Sequence, residues 1–92
     1  MRLMLRFTIP VEKGNVAAAD GSMRAAISSL VEQLNPEAAY FHLDDGRRAG
    51  TIIFEESDQS QMAAINEPLF TILNATIDIQ PAVSLNELVG KI

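Results

Sequence analysis

The chain has one histidine, one tyrosine and no cysteine or tryptophan, so few side chains can carry chemistry. His42 follows Tyr40 by two residues, a spacing that puts both on one side of an extended strand. A histidine there can serve as a general base near neutral pH; the plainer reading is a half-exposed strand residue beside a turn. His42 with Asp44 and Asp45 can also be read as metal ligands. Two carboxylates in a tight turn without a second histidine are a poor set, and no metal site is expected. Arg6 stands in the middle of an alternating apolar segment. Its guanidinium can grip a carboxylate or an enolate, or it can form a cross-strand ion pair. The acidic partners within its reach would be Glu55 and Asp78. The run Glu55-Glu56-Ser57-Asp58 suits the N-terminus of a helix, where negative charge is favoured. No nucleophile-elbow, zinc-helix or dinucleotide-loop pattern is present. No catalytic residue is assigned, and no cofactor is expected.

The elements that must position these residues follow from periodicity. Residues 2–9 alternate, with Leu3, Leu5, Phe7 and Ile9 on one side and Arg2, Met4, Arg6 and Thr8 on the other. Pro10 ends that strand, and residues 11–15 read as a polar loop that caps a pocket. From about Val16 to Asn35 the apolar residues recur at helical spacing. Asp20-Gly21-Ser22 weakens the first turns, so the helix begins either at Asn15 or near Asp20, and Asn35-Pro36 stops it. Strands are expected over 39–43 and 49–55. Between them, Asp45-Gly46 suits both central positions of a type I′ hairpin turn. That turn pairs 44 with 47, 42 with 49 and 40 with 51, which brings Phe41 and Leu43 onto the face of Gly50, Ile52 and Phe54. Ser57-Asp58 caps a second helix from Gln59, which Pro68 must kink or divide after about Asn66. A fourth strand, 76–80, has Ile77 and Ile79 inward. Ser84-Leu85-Asn86-Glu87 is a capping box opening a short C-terminal helix.

Strand, helix, strand, strand, helix, strand, helix is a ferredoxin-like βαββαβ order with an added helix. The fold class is α+β: one domain over residues 1–92, with a four-stranded antiparallel sheet in the order 4-1-3-2. A chain of 92 residues supports a single thin core. An apolar fraction of 48% excludes disorder. The formal charge is -5, and the seven basic residues form no run longer than two. Neither a nucleic-acid partner nor an electrostatic hold on membranes is therefore expected. The apolar start is too short for a signal peptide, so a cytoplasmic location is expected.

Two helices cover one face of such a sheet. The other face would carry Arg2, Met4, Arg6, Thr8, Tyr40, His42, Thr51, Ile53, Glu55, Thr76, Asp78 and Gln80. That mixture is too apolar for water and too charged for a dry core, and it suits a face partly covered by a second subunit. The stretch from Gly46 to Glu55, then Pro68-Leu69-Phe70 and Ile77-Asp78-Ile79-Gln80-Pro81, resembles the C-terminal half of muconolactone isomerase-like proteins, over roughly residues 46–81. The opening Leu5-Arg6-Phe7-Thr8-Ile9-Pro10 is compatible with it. The resemblance implies a dimeric α/β barrel, in which two ferredoxin-like sheets pack face to face. The group also includes small monooxygenases and stress-response proteins. Two functions are expected of a homodimer of this kind. One is binding of a small anionic or aromatic molecule, or of a protein partner, without catalysis. The alternative is a cofactor-independent isomerase or monooxygenase acting on a small organic acid or aromatic. In either case the expected ligand-binding residues are Arg6, Tyr40, His42, Glu55 and Asp78.

Overall fold

A computed structural model describes residues 1–92. It contains β1 (Arg2–Ile9), α1 (Val11–Asp20), α2 (Ser22–Leu34), β2 (Ala38–Asp44) and β3 (Arg47–Glu55). A 3₁₀ turn (Gln59–Gln61) then leads into α3 (Met62–Leu73), followed by β4 (Thr76–Pro81) and α4 (Leu85–Val89). The four strands form one antiparallel sheet in the order β2-β3-β1-β4, which from the opposite edge reads 4-1-3-2. The architecture is α+β, an open antiparallel sheet compatible with a ferredoxin-like fold.

Alternation decides which way the sheet faces. Leu3, Leu5, Phe7 and Ile9 of β1 and Ile52 and Phe54 of β3 are buried together with Ala17, Ala26, Leu30, Leu34, Ile65, Leu69 and Leu73 from the helices. α1, α2 and α3 therefore share one face, and the buried residues include no polar or charged side chain. The principal extents are 46 × 28 × 17 Å; the shortest fits one sheet backed by a single helical layer.

The hairpin has the register its turn requires. Asp45 and Gly46 have φ of 52° and 77°, both positive as a type I′ turn demands. Asp44 pairs with Arg47, His42 with Ala49 and Tyr40 with Thr51. Phe41 and Leu43 take the helix-side parity, yet they are 52% and 73% exposed, at a concavity they share with Met23 and Ile27 of α2.

Two expectations are corrected. Residues 11–15 are not a loop: they open α1, with Pro10 at its N-cap position and the Gly14 amide donating to the Pro10 carbonyl at 2.8 Å. Gly14 is buried beside Arg48, whose flexible guanidinium would have to shift a little to admit a Cβ. The helical segment then divides in two at Gly21, whose φ of 84° is left-handed, and the Asp20 carboxylate accepts from the Ser22 amide at 2.8 Å to start α2. Conversely, α3 runs through Pro68 as one helix, where a helix ending at about Asn66 and a separate short turn were expected. The Asp58 cap is present, on the 3₁₀ turn, where its side chain accepts from the Ser60 amide. α4 carries the full capping box between Ser84 and Glu87.

Candidate functional site

Outward parity gathers the polar side chains on the sheet face that carries no helix. Arg6 in β1 lies opposite Thr51 of β3 on one side and Asp78 of β4 on the other. A concavity of about 240 Å3 opens here, with Arg6, Thr8, His42, Asp44, Arg47, Thr76 and Asp78 among its lining residues. Three of the five expected site residues, Arg6, His42 and Asp78, therefore meet. Two do not. Tyr40 shares the face but is 68% exposed and outside the concavity. Glu55 stands four residue pairs along β3 from Thr51, roughly 13 Å at strand spacing, and its carboxylate pairs with the Met1 amine at 3.0 Å.

Arg6 is ion-paired with neither Glu55 nor Asp78. Its one ion-pair contact is Asp44, at 3.8 Å, with both side chains about half exposed, while Asp78 faces it across the strand pair. At that distance and exposure the pair contributes little and leaves most of the guanidinium donors available. Arg47 is the residue the sequence reading missed. It flanks the Asp45-Gly46 turn, and its pairing with Asp44 continues the outward parity of Ala49 and Thr51 by one step. Its Nε is buried without a hydrogen-bond partner, and its one ion-pair contact is Asp45 at 3.8 Å. A buried guanidinium N–H without an acceptor is costly.

In the neutral ring of His42, Nδ1 lies 3.0 Å from the Leu43 carbonyl oxygen and donates to it, which leaves Nε2 to accept from the Thr51 hydroxyl at 2.8 Å. The ring is thus held in place with its basic nitrogen on a hydroxyl beside Arg6. This arrangement can bind an anion through two guanidiniums, and it can accept a proton at His42. No group of three or more His, Asp or Glu residues is placed to hold a metal ion, and no helix is long and apolar enough to cross a membrane.

A larger crevice, about 470 Å3, lies on the opposite side of the sheet, between α3 and β4. Periodicity could not reveal it, because Leu3, Ile77 and Ile79 in its walls share the parity of the core residues. No family model matches this chain, and no curated protein matches it either.

Proposed function

We propose that the chain is a non-catalytic binding protein that acts as a homodimer and takes a small organic anion in the concavity around Arg6 and Arg47. The observation that carries this reading is the buried, unpartnered Nε of Arg47 beside an Arg6 that keeps its donors free. A carboxylate seated there would accept from both guanidiniums, the strong charge-assisted case. The dimer is supported by the uncovered face itself, where half-buried Met4 and Ile53 lie among charged residues. The resemblance of residues 46–81 to dimeric α/β barrels points the same way. The test is thermal unfolding with a panel of small carboxylates such as benzoate and muconate. At about ten times its Kd a ligand contributes about 1.4 kcal/mol, a rise of several degrees for a domain of this size. Arg47→Ala and Arg6→Ala should each abolish the rise while leaving the dimer intact. No rise with any small anion would defeat the reading.

The second reading, a cofactor-independent isomerase, is favoured by one observation, the basic Nε2 of His42 held on the Thr51 hydroxyl. It expects solvent deuterium to enter the carbon next to the carbonyl of a lactone or enol substrate, and His42→Gln to stop it. Anion binding without deuterium entry would leave the binding protein as the answer.

A further inference from the structure

The crevice between α3 and β4 is independent of the polar concavity, and it contains an unsatisfied group. Met62, Asn66 and Phe70 follow one another at i, i+4 spacing along α3 and form one wall; Leu3, Ile77 and Ile79 of the sheet form another. Asn66 is the exception in an apolar stripe. A leucine or alanine there would favour the helix and extend the core, yet the chain places an amide. The Asn66 Oδ1 is buried and has no hydrogen-bond partner. A buried acceptor left without a donor is a standing cost to the folded state. The crevice volume of about 470 Å3 falls within the roughly 300–1,000 Å3 of small-molecule sites. Six of the eleven lining residues are hydrophobic, and Glu56, Gln59, Asn66 and Gln80 are polar; apolar walls with a few polar groups are the usual make-up of such a site.

We infer that this crevice is a second ligand site, and that it takes a neutral aromatic molecule with one N–H or O–H donor, of the indole or phenol class. The ring would fill the space between Met62, Phe70, Ile77 and Ile79. Its single donor would satisfy Asn66 Oδ1. A negative charge is disfavoured, because the Glu56 carboxylate is among the lining residues. A thioether such as Met62 packs well on an aromatic ring.

Two isosteric probes test this on the intact protein, followed by calorimetry and by methyl and amide NMR. Indole carries the donor; 1-benzofuran has the same shape without it. Indole should bind, with shifts confined to Met62, Asn66, Phe70, Ile77 and Ile79, and benzofuran should bind on the order of tenfold more weakly, because it leaves the buried oxygen unpaired. Asn66→Leu should bring the two probes to equal affinity and should itself raise the melting temperature. Equal affinities in the unaltered protein would overturn the inference, since a water alone would then be serving Oδ1. Shifts centred on Arg6 and His42 would overturn it as well, and so would no binding of indole. The wild-type comparison needs no variant to fold.

Discussion

Arg6 shows what a residue's parity can and cannot tell. Alternation in β1 places it outward whatever its rotamer, whereas its ion partner depends on which side chains lean across from β2. Asp44 does so; Glu55 lies at the other end of the strand and is held by the Met1 amine. Gly50 is the sharper case. In the register of β3 it is paired with Phe7 on one side and Phe41 on the other. The two rings close over it, with centroids 6.4 Å apart and planes tilted by 58°. A Cβ here would stand 2.6 Å from two atoms of the Phe7 ring, and that ring is buried and cannot swing away. Gly50→Ala should therefore cost about 1–3 kcal/mol through overpacking, read as a lower midpoint in urea with an unchanged slope. The sequence showed that position 50 faces the helices but not why it is glycine, since the reason lies on two other strands.

The elements were legible where a period ran uninterrupted and less so at their joints. All four strands fall within a residue or two of their expected bounds, and Asp45-Gly46 gave the hairpin register, because turn chemistry and pleat constrain each other. The joints depend on tertiary contact. Pro10 and Gly14 look like loop residues in sequence, but Pro10 holds the N-cap position of α1 and Gly14 is buried in its first turn. α4 is a joint of another kind. With five residues and no buried side chain, it cannot hold itself in place by propensity. Arg2 holds it: the guanidinium donates to Glu37 at 2.7 Å and also to Glu87. The bond from Arg2, joined by the Ser84 cap, pushes the Glu87 carboxyl below its usual range. A carboxyl depressed in the folded state stabilises that state above its unfolded pKa and loses the contribution as pH falls through the folded value. Acidification below the ordinary glutamate range should thus release α4 while the sheet persists. Hydrogen exchange at residues 85–89 reads this directly. In Glu87→Gln those amides should exchange faster already at neutral pH, with little further change on acidification.

At the scale of the molecule, one helical layer on one sheet leaves a whole face without a neighbour. Light scattering should give twice the single-chain mass of 10.0 kDa at micromolar concentration. Ile53, half-buried opposite Met4, is central to that face, and Ile53→Lys should shift the mass toward one chain by placing an unpaired charge in the contact. A single-chain mass for the unaltered protein at high concentration would exclude the dimer. The strand order also has a consequence in time. β1 is made first and lies at the centre, yet both of its partners come late: Leu5 waits for Ile52 and for Ile79. The β2–β3 hairpin is the one pairing in the sheet whose strands are neighbours in the chain, and its turn closes the shortest loop. The hairpin should therefore organise the folding transition state, with β1 and then β4 condensing upon it. Gly46→Ala, strained at a φ of 77°, should slow folding with little change in unfolding. Ile79→Val in β4 should do the reverse, hastening unfolding while leaving the folding rate nearly unchanged, so the two substitutions should move opposite arms of the chevron.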